Sequence, residues 1–171
     1  SGLVALDPLT GLVTSLDPAV NGPVLALQLD ANGLWLGGGF TEAGGADRSF
    51  AALLDPTTGT ALDWQLGMDQ RPRCFVDLGN ERVFVGGEFT WAGNDVRHNI
   101  AAFDLVTGSL TAWDPDVHGR ILALELADGV LYIGGDLDAV GDQPRTYVAA
   151  IQAVDASPLD WAPVVDGTVR C

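Results

Sequence analysis

Lysine is absent from this chain of 171 residues, so all eight of its basic residues are arginines. Aspartate and glutamate together number 23, and the formal net charge is −15. Proteins that bind nucleic acid need clustered cations to neutralise the phosphates. This composition therefore excludes a nucleic-acid partner.

Long apolar runs are also missing. No stretch of about 18 uninterrupted apolar residues occurs, and this excludes a membrane-spanning helix. Apolar residues nevertheless make up 47% of the chain, enough for a substantial core in a single domain over residues 1–171. Disorder is excluded for the same reason.

Cysteine is scarce, because Cys74 and Cys171 are the only two in the chain. Two cysteines are too few for a disulfide-rich scaffold. Neither stands in the CxxC or Cys/His spacing that is typical of a zinc site. The cysteine content therefore leaves the cellular compartment open.

The chain does contain an internal repeat, with a period of 48 to 49 residues. An apolar residue followed by two glycines recurs three times, and an arginine and a tryptophan recur at the same spacing. The repeated positions are Gly37, Gly38, Gly86, Gly87, Gly134, Gly135, Arg48, Arg97, Arg145, Trp64, Trp113 and Trp161. The units extend over about 3–50, 51–99, 100–147 and 148–171, so the chain holds about three and a half of them.

Each unit is predicted to consist of strands, because short apolar runs alternate with turn residues every 8 to 12 positions. In the first unit we expect strands at 24–29 and 34–37, joined by Asn32-Gly33; Asp128-Gly129 forms the same turn in the third unit. An Ala-Ala-apolar-Asp run predicts the third strand, and a Thr-Gly turn leads to a fourth that ends at the tryptophan. The predicted fold class is all-β: a β-propeller of four-stranded blades. A parallel β-helix is disfavoured, because the turns are those of antiparallel hairpins.

The repeated residues are predicted to be structural. Paired glycines let the backbone bend or pack against the next blade, and no helix follows them to form a phosphate site. Each tryptophan is expected to pack between blades, with a platform for stacking carbohydrate as the alternative. Each arginine is expected to bind a carboxylate in its own blade, such as Glu88 or Asp136, or turn carbonyls. Convergence of the three arginines on one ligand is the alternative.

Nineteen of the acidic residues are aspartates, and most are expected to cap turns. Asp114, Asp116, Asp138 and Asp142 are candidate calcium ligands on loops, although no known calcium-loop motif contains them. A catalytic pair of carboxylates, as in a glycoside hydrolase, cannot be recognised among so many.

The two histidines, His98 and His118, lie in loops outside any catalytic signature and are expected to face solvent. We therefore predict no catalytic residues and no enzyme activity. No cofactor is predicted, and calcium is the one ion that stays open.

Cys74 and Cys171 both fall in predicted first strands. In the repeat register Cys74 aligns with Leu25 and Leu122, whereas Cys171 aligns with Ala26, so the two are one position out of phase and two blades apart. Alternation then places them on opposite strand faces. We expect their Cα atoms to be farther apart than the roughly 7 Å that a disulfide spans, which leaves free thiols or an intermolecular disulfide.

The second unit carries a full set of motifs: apolar-Gly-Gly-Glu-Phe-Thr at 85–90, Ala92-Gly93, Arg97, Ala-Ala-Phe-Asp at 101–104, Thr107-Gly108 and Trp113. This pattern resembles the delta-sixty type β-propeller repeat of large secreted bacterial proteins, and the resemblance covers essentially the whole chain. It implies an extracellular or cell-surface location and a scaffolding or interaction role, with no catalytic residues. The first unit departs from the pattern at Leu16 and Gly39, and the fourth departs at Gln152.

The functional prediction is a non-catalytic, extracellular structural or protein-interaction module whose partners are other protein chains, chiefly copies of itself. About three and a half units leave one blade unfinished. We therefore expect either a piece of a longer protein or a subunit completed by strand pairing with a neighbour, as in a filament or surface layer. A carbohydrate- or calcium-binding propeller is the alternative, and a hydrolase is less favoured.

Overall fold

The computed structural model describes residues 2–79 and 81–171. Their regular secondary structure consists of β-strands joined by turns, and they include no helix that could cross a membrane. The strands are β1 (Val24–Leu29), β2 (Leu34–Gly38), β3 (Glu42–Ala43), β4 (Ala46–Asp47), β5 (Ala51–Leu54), β6 (Pro72–Asp77), β7 (Arg82–Gly87), β8 (Trp91–Ala92), β9 (Asp95–Val96), β10 (Ile100–Asp104), β11 (Val117–His118), β12 (Ile121–Ala127), β13 (Val130–Gly135), β14 (Ala139–Val140), β15 (Gln143–Pro144) and β16 (Val148–Gln152).

In the described residues, three antiparallel sheets of three longer strands form the body of the molecule, and a fourth, smaller sheet joins β11 to β14 and β15. The strands of the three larger sheets pair in sequence order, as β1-β2-β5 (sheet 1), β6-β7-β10 (sheet 2) and β12-β13-β16 (sheet 3). Each of these sheets, with the segment that follows it, makes up one period of the repeat and is called a unit below, although its third strand lies just beyond the bounds predicted from the sequence. The strands predicted at 24–29 and 34–37 are observed as β1 and β2. The all-β, antiparallel class is therefore confirmed, whereas the β-propeller and its number of blades stay predictions.

The predicted fourth strand of each unit is reduced to a single bridge. The bridged pairs are Leu6 with Val13, Leu54 with Ala61, Phe103 with Leu110, and Ile151 with Pro158. In the first complete unit, the amide of Trp64 donates to the carbonyl oxygen of Leu62 at 2.8 Å. This hydrogen bond joins residues two positions apart and forms a tight turn. The segment therefore stops pairing with the third strand directly after the bridge.

Between the second and third strand of each unit lies a small hairpin that the apolar pattern does not predict. Its two-residue strands pair as β3-β4, β8-β9 and β14-β15. Such short strands cannot show the alternation of apolar and polar residues by which strands are recognised. Their tight turns give the only local signal, as at Gly44 and Gly45, whose φ values are 61° and 77°.

The two predicted hairpin turns differ in the structure. Asp128 and Gly129 have φ values of 49° and 77° and join β12 to β13, as predicted for a two-residue turn. In sheet 1 the last pair is Leu29 with Leu34, so four residues form the loop and Asn32 does not need a positive φ. The carboxylate of Asp30 instead accepts the amide of Asn32 at 2.7 Å.

The core lies between consecutive sheets. One buried cluster joins Trp35 of sheet 1 to Phe75 and Phe103 of sheet 2. A second cluster joins Phe84 of sheet 2 to Ile151 of sheet 3. The sheets therefore pack face to face in sequence order, and β1 contacts β6 as β6 contacts β12.

Candidate interaction site

The first glycine of each pair contacts a later part of the chain, which is the first strand of the next sheet for Gly37 and Gly86 and the C-terminal segment for Gly134. A Cβ atom built on it would come within 3.0 Å of a side chain there. The contacts are Gly37 with Phe75 at 2.9 Å, Gly86 with Ile121 at 2.7 Å, and Gly134 with Val169 at 2.7 Å. Any larger residue would separate the sheets, and the repeated glycine is thus a contact point between sheets.

The second glycine of each pair, Gly38, Gly87 or Gly135, lies opposite the start of the first strand of its own sheet. At this point each first strand contains a bulge, since the pairing skips one residue. A Cβ atom on the second glycine would strike the carbonyl group of the residue before that strand. The two glycines of a pair therefore permit two different close contacts, the first with a side chain and the second with a backbone carbonyl group.

The three tryptophans make one repeated contact, each standing edge-on to an aromatic ring of its own sheet. The pairs are Trp64 with Trp35 at 5.1 Å between ring centroids, Trp113 with Phe84 at 4.9 Å, and Trp161 with Tyr132 at 5.3 Å. Trp113 is also covered by the next sheet, because its indole N–H donates to the carbonyl oxygen of Gln152 in β16 at 3.1 Å. Trp113 is 5% exposed, whereas Trp161 is 44% exposed.

The N-terminal segment shows the complementary difference. Leu54, Phe103 and Ile151, which make the third-strand bridge in their units, are all at least 99% buried. Leu6 makes the same bridge near the start of the chain and is 57% exposed, and its bridge partner Val13 is 67% exposed. The same residue position is therefore buried inside the stack of sheets and uncovered at this end.

Two uncovered apolar surfaces result. We call Val4, Leu6 and Val13 the leading face. The trailing face consists of Tyr132 and Trp161 on sheet 3, beside an apolar cavity of about 470 Å³ that Leu122, Leu124 and Val148 also line. Leu25, Leu27 and Leu29 form a further exposed apolar row along β1. Exposed apolar patches of this kind mark interaction surfaces.

Arg48, Arg97 and Arg145 repeat a different contact. In each, Nη2 donates to the carbonyl oxygen of the residue fourteen positions later: Leu62 at 3.1 Å, Thr111 at 3.0 Å, and Leu159 at 2.8 Å. Nη1 donates to the carbonyl oxygen of the preceding residue. Each arginine thus ties the small hairpin to the end of its unit through carbonyl groups, and the three do not meet at one ligand. Arg97 also pairs with carboxylates, those of Asp95 at 3.3 Å and Asp114 at 3.6 Å, as predicted for these arginines.

The predicted partners Glu88 and Asp136 bind other arginines. Glu88 pairs with Arg73 at 2.6 Å and lies 3.9 Å from Arg120, which belongs to the next unit. Arg120 also pairs with Asp136. These charge pairs link sheets 2 and 3. In the sequence, Arg120 could have been noticed because Arg71 stands 49 residues earlier and each of the two arginines directly precedes a first strand.

Hydrogen bonding lowers the pKa of Asp136, first through the hydroxyl of Thr168 and then through Arg120. In sheet 1 a glycine, Gly39, stands at the position of Glu88. The Nε atom of Arg71 lies 3.1 Å from where its Cβ would be, so the arginine side chain takes the space of the missing carboxylate.

The turn aspartates form a third repeated element. Asp7, Asp55 and Asp104 each accept the backbone amides of the residues two and three positions later, at 2.7 to 3.0 Å. These bonds, chiefly that from the threonine amide, lower the pKa of each carboxyl group. The turns follow the prediction that aspartate caps its own backbone.

The two histidines meet at one carboxylate, which the sequence did not indicate. His98 Nδ1 lies 3.3 Å from one oxygen of Asp116, and His118 Nε2 lies 3.6 Å from the other. Both imidazoles are about half exposed. In the part of the chain that the structure describes, no three His, Cys, Asp or Glu side chains are grouped to hold a metal ion, so the candidate ligands Asp114, Asp138 and Asp142 do not converge with Asp116.

The predicted register of the cysteines was wrong. Cys74 pairs with Gly86 as Ala26 pairs with Gly37, so Cys74 corresponds to Ala26 and not to Leu25. The first strands are spaced by 48 and then 49 residues, whereas the glycine pairs are spaced by 49 and then 48, and the sequence alignment followed the glycines. Cys171 therefore stands in the same register position as Cys74.

Both cysteines are free and line the same cavity at the trailing face, so the predicted placement on opposite strand faces was wrong. Burial raises the pKa of the Cys74 thiol to about 12, whereas Cys171 is exposed. The thiolate is the form that reacts, so of the two thiols Cys171 is the one placed to form an intermolecular disulfide.

Comparison with known proteins finds no match to this chain, either among the family models or among curated proteins. The resemblance to the delta-sixty repeat therefore stays a prediction that rests on the repeated motifs alone.

Proposed function

We propose that this chain is a non-catalytic structural module of an extracellular or cell-surface protein assembly. Its repeat units act as β-propeller blades, and it binds further protein through the leading and trailing faces. Calcium and carbohydrate binding stay predictions, and the described structure favours neither of them over protein binding.

The observation that carries this proposal is the unequal burial of equivalent residues. Trp113 is covered by a following sheet, and Trp161, at the same position, is not. Ile151 is covered by a preceding sheet, and Leu6, at the same position, is not. Because burying a large apolar side chain is worth about 1.5–3 kcal/mol, each end favours contact with another sheet.

The blade interpretation is supported by the order and contacts of the sheets. Each sheet pairs its strands in sequence order, and the first strands β1, β6 and β12 follow one another in contact. Radial packing of consecutive small sheets is typical of propellers. The acidic, lysine-free composition suits a protein that must stay soluble outside the cell.

The proposal is tested by covering the trailing face with one more unit. Since Cys171 corresponds to Cys74, the natural extension appends a copy of residues 75–123 after Cys171. We expect the extended chain to resist urea better, and the amides of β13 and β16 to exchange hydrogen more slowly. A matched control carries Phe103→Asp within the appended copy, which removes the side chain expected to cover Trp161. Equal exchange in all three proteins would contradict the proposal.

A further inference from the structure

Contacts between consecutive sheets repeat within the chain, so the molecule itself shows what covers each surface. Phe103, on the third strand of sheet 2, shares a buried cluster with Trp35, against which Trp64 packs. Ile151, at the same position in sheet 3, shares a buried cluster with Trp113. The third strand of one sheet thus supplies the apolar side chain that packs near the tryptophan of the preceding sheet.

The turn after the third strand follows the same rule. A Cβ atom on Gly108 would lie 3.7 Å from the ring of Trp64, and one on Gly59 would lie 3.0 Å from Leu16, the residue at the tryptophan position of the preceding unit. Gly11 belongs to the corresponding turn in the N-terminal segment, and nothing lies within 4 Å of its Cβ position. The turn at Gly11 therefore has nearly the same positive φ as the turns at Gly59 and Gly108, but no side chain packs against it.

We propose that residues 4–13 of one copy of this chain bind the trailing face of a second copy. This inference rests on the function proposed above and names the partner of the same two faces. Leu6 takes the place over Trp161 that Ile151 has over Trp113. Gly11 comes to lie against the Trp161 ring, as Gly108 lies against Trp64.

The trailing face has room for this segment. Val169 lies against Gly134 as Ile121 lies against Gly86, so residues 169–171 follow the path of a first strand. The docked segment takes the third-strand position farther out. Residues 169–171 and the N-terminal segment of the second copy therefore do not compete for the same place. They take the first and the third strand positions of a following sheet, and the second position, which lies between them, is filled by neither copy.

The net charge of the chain opposes association of two copies, and it determines the salt concentration at which association is measured. Each copy carries a net charge of −15, so two copies repel one another at low ionic strength. At about 1 M salt the Debye length falls to about 3 Å, and the apolar contact between the faces remains. We therefore expect association to strengthen as salt is added, the opposite of what an ion-paired interface shows.

Association is measured by sedimentation equilibrium of the full chain over a wide range of concentration in about 1 M sodium chloride. We expect the mass to rise with concentration above the 17.8 kDa of one chain. Leu6→Asp and Trp161→Asp, each placed at the centre of one face, should each weaken association at least about tenfold. Val106→Asp is the matched control, because Val106 is 85% exposed in the turn after β10 and belongs to neither face.

A mixing experiment tests the head-to-tail geometry. The Leu6→Asp variant keeps its trailing face, and the Trp161→Asp variant keeps its leading face. Mixed in equal amounts, they should form a one-to-one complex that grows no further, because only one productive pair of faces remains. Circular dichroism and thermal unfolding of each variant alone establish that it is folded, as expected for changes at half-exposed residues.

Three outcomes would overturn the proposal: wild-type chain that stays at 17.8 kDa at all concentrations, variants that associate as wild type does, or a mixture that forms no complex. A monomer destabilised by Leu6→Asp would place the segment on its own chain and would overturn it equally. If copies fail to associate while the extended chain described above is stabilised, the partner is wrong and the proposed function stands.

Discussion

The indole N–H of Trp113 donates to the carbonyl oxygen of Gln152 at 3.1 Å, across the boundary between sheets 2 and 3. Trp161, the same residue one unit later, lacks that cover and is 44% exposed. The same sequence position is thus buried at Trp113, where sheet 3 covers it, half-buried at Trp64 and exposed at Trp161.

This pair predicts unequal costs of truncation. Trp113→Ala should lower the free energy of unfolding by about 3–5 kcal/mol, because it opens a cavity between two sheets and removes one of the two donors to the Gln152 carbonyl oxygen, which keeps only the amide of Ala156. Trp161→Ala should cost less than half as much, since much of its ring is already in water. Urea unfolding of dilute protein at low salt measures both. Equal costs would contradict the assignment of Trp113 to a covered interface.

The close approach at Gly86 predicts a sharp penalty for one methyl group. In Gly86→Ala the new Cβ would lie 2.7 Å from Cγ2 of Ile121 and 2.8 Å from the Cys74 sulfur. We expect destabilisation of about 1–3 kcal/mol as β12 is forced away. Gly167→Ala is the control, because nothing lies within 4 Å of its Cβ position and its φ is not positive. A Gly86→Ala protein as stable as the control would show that the sheets have space there.

The turn aspartates predict a loss of stability in acid. Hydrogen bonds from the following amides lower the pKa of Asp7, Asp55 and Asp104 in the folded chain. A carboxyl group with a lowered folded pKa stabilises the protein above its unfolded pKa, and that contribution disappears as the pH falls through the folded value. The free energy of unfolding should therefore decrease between about pH 5 and pH 2.

Asp104→Asn tests this at one turn. The amide oxygen still accepts backbone hydrogen bonds but does not titrate in this range, so the variant should lose less stability on acidification than the wild type does. Asp166→Asn, at an exposed aspartate outside these turns, is the control. Parallel pH profiles for wild type and Asp104→Asn would refute the explanation.

The two thiols predict selective modification. At pH 8 iodoacetamide should alkylate Cys171 readily and Cys74 at least about a hundredfold more slowly, because burial raises the Cys74 pKa to about 12 and little thiolate forms. Mass spectrometry of digested protein gives both rates. In denaturant the two rates should converge. Rapid labelling of Cys74 in the folded chain would show that the cavity opens.

The repeat made much of the architecture predictable. Each unit supplies the same turn residues and the same alternation, so β1 and β2 were predicted at nearly their observed bounds. The packing role of the glycine pairs also follows from the pattern, since a residue without a side chain at a strand end needs a backbone or side chain close by. The hairpins such as β8-β9 were missed because two residues carry no periodicity.

The site was less predictable, because it depends on contacts between units. The contact that Arg97 shares with Arg48 and Arg145 is to a carbonyl oxygen fourteen residues later, that of Thr111, and because every residue carries a carbonyl no residue type marks it. The meeting of His98 and His118 at Asp116 joins two units and has no counterpart in the others. Charge pairs such as Arg120 with Glu88 cross between sheets for the same reason.

By itself the sequence determined the all-β class, the length of the unit and the positions where only glycine fits, because local turn chemistry and strand alternation repeat three times. Tertiary structure alone decided the register of Cys74, since the connection between β6 and β7 is one residue longer than the corresponding connections in the other two sheets. It also decided that Trp113 is buried while Trp161 and Leu6 are open to solvent. Burial at these positions comes from the neighbouring sheet, and the sequence around a residue carries no information on whether that neighbouring sheet packs against it.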